Sequence, residues 1–143
     1  PDDVAARLAL AGVLERDGDL AGALRQYDEV TRLEPDNAGA LAHGGRILYL
    51  TASRTVPDQA AELVAAARAR LDQAVAADPD HADARFFRAV LLAEERLDRE
   101  VAIADAQRYL VLASDGPFAA DARTLLSDLG ADTPSGTAPP DKQ

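Results

Sequence analysis

Residues 23–40 read ALRQYDEVTRLEPDNAGA, and residues 67–84 read ARARLDQAVAADPDHADA. Both carry an acidic-Pro-Asp turn, at Glu34-Pro35-Asp36 and at Asp78-Pro79-Asp80, and the two prolines stand 44 residues apart, 79 minus 35. The same shift superposes Ala23 on Ala67, Asp28 on Asp72, Ala38 on Ala82, Ala40 on Ala84, Ile47 on Leu91 and Leu48 on Leu92. Small, large and turn residues recur in one order. Such a chain folds as a stack of similar units, because one unit alone cannot bury its apolar face.

Each unit reads as a helical hairpin. Leu10, Leu14, Leu20, Ala23, Leu24, Tyr27, Val30 and Leu33 keep a spacing of three or four, the mark of one buried helical stripe. Gly18-Asp19 interrupts it: Gly18 takes the left-handed end of one helix and Asp19 caps the next. Pro35 ends the second helix, and Asp36 is expected to cap the following one. Composition agrees. Hydrophobic residues make up 48% of the 143 but aromatics only 4%, so the core rests on Ala and Leu, both strong helix formers. Alternating patterns are too rare for a sheet, and the chain is expected to be all-α.

These residues resemble the tetratricopeptide repeat family, whose unit is a helix–turn–helix of about 34 residues. The first unit supplies Leu10-Ala11, Leu14, Ala23, Tyr27, Val30 and Pro35. The second supplies Leu41, Gly44-Gly45, Leu48, Ala67, Leu71, Ala74 and Pro79, and the third Arg85, Arg88-Ala89, Leu92, Ala102, Ala106 and Tyr109. Arg7, Leu41 and Arg85 stand where the family has an aromatic. The resemblance covers roughly residues 4 to 129 and implies a right-handed α-α superhelix of three hairpins with a C-terminal capping helix.

A spacing of 44 rather than about 34 locates an insertion of about ten residues, at Thr51–Ala61. Thr55-Val56-Pro57-Asp58 reads as a loop with Pro57 near a helix start, and helical pattern then runs to Ala77. The expected repeats are 4–37, 38–81 and 82–116 within a domain of 3–129, with third-unit helices near 81–95 and 98–113. Phe118, Ala122, Leu125, Leu126 and Leu129 mark the capping helix, 117–129, ended by Gly130. The segment 130–143, GADTPSGTAPPDKQ, has no apolar stripe and reads as a disordered tail.

The net charge of −10 opposes binding to nucleic acid or anionic lipid, since phosphates would be repelled. No cysteine is present, which excludes disulfides, iron–sulfur clusters, thiolate zinc sites and Cys nucleophiles. No methionine is present either, so Pro1 is expected to be a processed or truncated end, and a leader or anchor upstream would not be visible. No apolar run approaches the ~18 residues a bilayer span needs, so no direct membrane insertion by this segment is expected.

Little here points to catalysis. His43 and His81 are 38 residues apart on different elements, without further metal ligands at helical spacing. No serine has a nucleophile-elbow context, and no glycine-rich phosphate loop occurs. Glu15–Asp19, ERDGD, lacks the spaced carboxylates of a calcium loop. Asp28, Asp72, Glu94 and Glu95 read as solvated helix faces. No enzyme activity and no cofactor are expected.

What remains is surface. The resemblance implies that the first helix of each hairpin lines a concave groove holding a peptide or partner helix. The groove-facing pattern gives Leu8, Gly12 and Glu15 in the first unit. It gives Ala42, His43, Arg46 and Tyr49 in the second, and Asp83, Phe86, Val90 and Glu94 in the third. The candidate peptide contacts are therefore Glu15, His43, Arg46, Tyr49, Asp83, Phe86 and Val90. Phe86 and Phe87 point about 100° apart on a helix, so one of them is expected to be partly exposed. Chaperone-binding members of the family hold a terminal carboxylate with Lys, Asn and Arg. Here the matching positions carry Leu8, Gly12, His43, Phe86 and Val90, so that clamp is absent.

Asp78–Leu92 (DPDHADARFFRAVLL) and Leu112–Leu126 (LASDGPFAADARTLL) are also similar to bacterial repeat modules of membrane-anchored c-type cytochrome maturation proteins. That likeness would place the module on the extracytoplasmic face of a membrane; a cytoplasmic location is equally compatible with the sequence. The functional expectation is a non-catalytic scaffold that binds a polypeptide segment in its groove. The alternatives are self-association as a homodimer and service as the helical domain of a larger protein, either an enzyme whose chemistry lies outside this segment or a membrane-anchored assembly factor such as a cytochrome c biogenesis protein.

Overall fold

A computed structural model describes residues 3–135 as seven α-helices and no strand. They are α1 (Val4–Asp17), α2 (Leu20–Leu33), α3 (Ala38–Ala52), α4 (Pro57–Ala77), α5 (Ala82–Glu94), α6 (Arg99–Leu112) and α7 (Ala119–Asp128). The chain divides into two compact units, Pro1–Ala84 and Arg85–Gln143. The first turn of α5 thus belongs to the first unit and the rest of that helix to the second.

Local chemistry sets the helix ends. The Asp3 carboxylate accepts a hydrogen bond from the Ala6 N–H at 3.1 Å, and Asp19 one from the Gly22 N–H at 2.8 Å. Each satisfies an amide that the helix itself cannot pair. Gly18, at φ 84°, closes α1 in the left-handed conformation as expected. The capping residue of α3 corrects the sequence reading, because it is Asn37 rather than Asp36. Glu34 O accepts from the Asn37 N–H at 3.0 Å, so Pro35 and Asp36 are the two central turn residues and helix entry waits for the next position. Asn37 Oδ1 then accepts from the Ala40 N–H at 3.0 Å. Forty-four residues on, the arrangement repeats. The His81 N–H donates to Asp78 O at 3.1 Å, and His81 Nδ1 accepts from the Ala84 N–H at 3.2 Å.

In the first unit α1 packs on α2, α2 on α3 and α3 on α4. Ala11, Ala23, Tyr27, Val30, Ala40 and Ile47 form one buried cluster, flanked by Val4, Leu8, Leu14, Leu20 and Leu24. A short loop follows α3, and α4 then runs for 21 residues against 14 in α2. Gly45 permits close approach of α3 and α4, since a Cβ there would meet Leu71 Cγ at 3.0 Å and Ala67 O at 3.2 Å. Ala67, Leu71, Ala74 and Val75 form the buried stripe of α4.

In the second unit α6 packs on α7. Phe86 and Phe87 are both buried, at 6% and 5% exposure, which overturns the expectation that one faces solvent. The reason is Phe118, just before α7. Its ring stacks on Phe86 at 4.7 Å and meets Phe87 edge-on at 5.3 Å, so α5 is covered on two sides. Gly130, at φ 64°, follows α7, and the Ala131 N–H returns to Leu126 O at 2.8 Å. Gln107 Nε2 donates to Asp132 O at 2.9 Å, which ties the start of segment 130–143 to α6. Residues 136–143, the greater part of the expected disordered tail, lie outside the described residues. No helix among the described residues is long and apolar enough to cross a membrane.

Candidate functional site

The repeat register places Glu15 in the last turns of α1, His43 and Arg46 one turn apart on α3, and Asp83 in the first turn of α5. All four lie in the first unit, and they meet. His43 Nδ1 lies 3.0 Å from Glu15 Oε2, and His43 Nε2 lies 3.3 Å from Asp83 Oδ2. Arg46 Nη1 donates to Glu15 Oε1 at 3.2 Å. The Tyr27 hydroxyl on α2 donates to Glu15 Oε2 at 2.8 Å. The Tyr27 ring also stacks on His43, with centroids 5.6 Å apart.

Burial raises the cost of every charge here, and pairing outweighs it. For His43, desolvation alone would depress the pKa; hydrogen bonds to Asp83 and Glu15, with their negative charges, push it up to about 9. Desolvation would raise the Glu15 pKa, but hydrogen bonds from His43 and Tyr27 and the positive charges of His43 and Arg46 hold it below the usual carboxylate value. The hydrogen bond with His43 likewise holds Asp83 low, against a smaller opposing effect of burial. The Tyr27 phenol is pushed up by burial and by its bond to the Glu15 carboxylate.

At neutral pH the cluster therefore holds two carboxylates, an imidazolium and a guanidinium, which sum to zero. Both nitrogens of His43 face carboxylates, so the ring has no free lone pair to act as a general base. Among the described residues no group of three or more His, Cys, Asp or Glu is placed to hold a metal ion. The side chains remain partly open to solvent, at 27% for His43, 37% for Arg46 and 32% for Asp83, while Glu15 sits deeper at 12%. The arrangement links three successive first helices and presents a polar, charge-balanced surface.

Tyr49 on α3 and Val90 on α5 are half-buried, and Phe86 belongs to the buried aromatic cluster of the second unit. The groove pattern singled out Glu15, His43, Arg46 and Asp83 as separate contacts, and the structure brings them together. Sequence reading placed Tyr27 only in the core stripe. Its hydroxyl was the available signal: a buried phenol needs a partner. A second polar feature went unseen. Asp105 on α6 is fully buried and accepts from Arg85 Nη1 at 2.7 Å and from Arg88 Nε at 2.6 Å and Nη2 at 3.0 Å.

No family model matches the sequence, and no curated protein matches it. Solved structures do match by fold. The first TPR of Spaghetti (RPAP3), bound to the HSP90 peptide SRMEEVD, aligns over 90% of this chain and 94% of its own, with TM-score 0.67 and 16% identity. The crystal structure of MamA protein aligns over 89% of this chain and 86% of its own, with TM-score 0.34 and 17% identity. The likeness to the first of these establishes a tetratricopeptide-type helical repeat fold for this chain.

Proposed function

We propose that this chain is a non-catalytic interaction module that binds a polypeptide segment across the first-helix surface of its first unit. One observation carries the reading: Glu15, His43, Arg46 and Asp83, from three successive first helices, converge on a half-open surface. Tyr49 on α3 supplies an aromatic beside them in sequence, and Tyr and Arg are both enriched among binding hot spots. The fold agrees, since its structural neighbour RPAP3 is seen with a peptide bound.

The same residues set the kind of ligand. Leu8, Gly12 and His43 stand where a carboxylate clamp would need basic or amide side chains, and the charges of His43 and Arg46 are already answered by Glu15 and Asp83. The proposed ligand is an internal segment, held by apolar and hydrogen-bonding contacts rather than by a terminal carboxylate.

The test is selection of peptides from a displayed random library on the full chain, with the Arg46→Glu/Tyr49→Ala variant as counter-target. Peptides enriched on the wild-type chain alone support the proposal, and equal enrichment on the variant overturns it. The SRMEEVD peptide serves as a control by calorimetry. No heat of binding is expected, and micromolar affinity would overturn the exclusion of carboxylate capture.

A further inference from the structure

Negative charge in the first unit is answered unevenly. Residues 1–84 hold 15 acidic side chains against eight arginines and no lysine. Asp28 pairs with Arg70 at 2.7 Å, Glu29 with Arg32 at 3.1 Å, Glu15 with Arg46 at 3.2 Å and Asp72 with Arg68 at 3.8 Å. Among the described residues no arginine pairs with Asp83, Glu34, Asp36 or Asp78. Asp83 gives Oδ2 to His43 Nε2 at 3.3 Å and is 32% exposed. Its other oxygen, Oδ1, has no hydrogen-bond partner among the described residues. The bond to His43 holds the carboxyl below its usual pKa, so the open oxygen belongs to a carboxylate. Glu15 fixes the far side of the His43 ring at 3.0 Å, which keeps Asp83 in place.

Two residues before Asp83, His81 enters the wall of an open cavity of about 590 Å³. The two acidic-Pro-Asp turns form its sides, with Glu34, Asp36, Asn37 and Gly39 from one and Asp78 and His81 from the other. They approach closely, since a Cβ on Gly39 would lie 3.6 Å from His81 Nε2. The carboxylates here meet only neutral donors. Glu34 Oε2 accepts from Asn37 Nδ2 at 2.8 Å, and Asp78 Oδ1 from the Asp80 N–H at 3.0 Å. His81 Nδ1 accepts from the Ala84 N–H at 3.2 Å, so the ring carries its hydrogen on Nε2 and brings no full positive charge. Three carboxylates of one sign thus line a single opening beside Asp83, and their field favours a cation.

We propose that the polypeptide segment held by the first unit belongs to a basic partner. An arginine or lysine of the segment donates to Asp83 Oδ1, and a neighbouring basic residue enters the cavity between the two turns. This rests on the reading of the first unit as a segment-binding module and adds the sign of charge that the module selects. A hydrogen bond between ions is the strong kind, and Asp83 offers a positioned acceptor for one. An acidic segment meets four carboxylates with no arginine beside them. A second copy of the chain is a poor occupant, because two chains of net charge −10 repel.

The experiment uses the full chain and three fluorescein-labelled pools of random decapeptides with amidated C-termini. Every third position is Arg in one pool, Gln in the second and Glu in the third. Fluorescence anisotropy at physiological salt is expected to show the Arg pool binding about tenfold tighter than the Gln pool, with the Glu pool weakest. Asp83→Asn should weaken the Arg pool about tenfold. Asp36→Asn/Asp78→Asn, at exposed turn positions and checked by circular dichroism, should weaken it about threefold and guards against a change of fold at Asp83. Asp121→Asn/Asp128→Asn removes equal charge from exposed positions of α7 and should leave the affinity unchanged. Equal binding of the Arg and Gln pools, both lost in Arg46→Glu/Tyr49→Ala, overturns the basic ligand while the binding surface stands. No binding of any pool at millimolar peptide overturns both. An equal loss in the α7 variant would reduce the effect to diffuse attraction and overturns the proposal. So does a dimer of the chain alone that Asp83→Asn abolishes, which would assign the surface to a second copy.

Discussion

Arg7 of α1 and Arg85 of α5 stand 78 residues apart and fill one position of the repeat, yet each hairpin answers the guanidinium differently. In the first hairpin Arg7 Nη1 donates to a neutral amide, Gln26 Oε1, at 3.1 Å in a half-buried place. In the third the partner is the fully buried carboxylate of Asp105, held also by Arg88. Leu10 is the first-hairpin counterpart of Arg88 and is 46% exposed. One geometry thus tolerates a weak polar contact in a half-buried place and supports a dense ionic one where the surroundings exclude water. What differs is the dielectric around the pair, which fixes how much each partner depends on the other.

The largest expected contrast lies in the apolar positions. Val13 and Leu91 share a register position, at 42% and 0% exposure. Leu91→Asp places a carboxylate in a closed core and is expected to cost about 4 kcal/mol or more, enough to unfold the chain. Val13→Asp is expected to stay within about 0.5 kcal/mol of wild type. Urea denaturation followed by circular dichroism measures both, and similar losses would show that the α1 face is closed in solution.

Next come the polar pairs. Asp105→Ala leaves two guanidinium groups facing a dry gap and is expected to cost about 3 kcal/mol. Gln26→Ala removes one contact at a half-wet site and is expected to cost less than about 1 kcal/mol. Equal losses would mean that water reaches Asp105.

The helix order and the helix ends were legible because each rests on short-range chemistry: periodicity, Gly18 in a left-handed turn, Asp19 as a cap, Pro57 at a helix start. The polar sites were only half legible. Register supplied Glu15, His43, Arg46 and Asp83, since each lies on the same face of a first helix. Their mutual pairing depends on how closely those helices approach, which no local pattern encodes. Asp105 was invisible for a related reason: an aspartate within a helix looks like a solvated face until two arginines 17 and 20 residues earlier turn towards it. Phe86 and Phe87 misled in the opposite direction. The rule that adjacent residues cannot share a core assumes one covered face, and Phe118 supplied a second.

The hairpins also differ in response to pH. Glu15 of the first hairpin pairs with His43, whereas its counterpart in the third, Ala93, cannot titrate. The His43 pKa is raised to about 9 from an unfolded value near 6.5, so its contribution is fully present below pH ~6.5 and is lost as pH rises through about 9. Glu15 and Asp83 are held low, so their contributions are present above their unfolded values and are lost as pH falls through the folded ones. The network is therefore complete between roughly pH 5 and 8 and weakens on either side. Proton NMR of the His43 ring should give a midpoint near pH 9, and His43→Gln should remove about 2 kcal/mol of alkali-sensitive stability. A midpoint near 6.5 would mean that the bonds to Glu15 and Asp83 are not kept in solution.

The smallest contrast lies in the turns. The α1–α2 turn uses Gly18 at φ 84°, and the α5–α6 turn uses Arg96 at φ 53°, with matching bonds from the Asp19 N–H to Leu14 O and from the Leu97 N–H to Leu92 O, both 2.9 Å. The third hairpin needs one residue more, because Asp19 both closes one helix and caps the next, whereas Leu97 and Asp98 divide those tasks. A side chain in the left-handed region costs about 1–2 kcal/mol, and glycine returns part of that gain through its freer unfolded chain. Arg96→Gly should therefore stabilise the protein by about 0.5–1 kcal/mol, while Gly18→Ala destabilises it by a similar amount. Thermal unfolding resolves the pair, and the sign is what matters. A loss in Arg96→Gly would show that the Arg96 side chain makes a contact worth more than the backbone strain it carries.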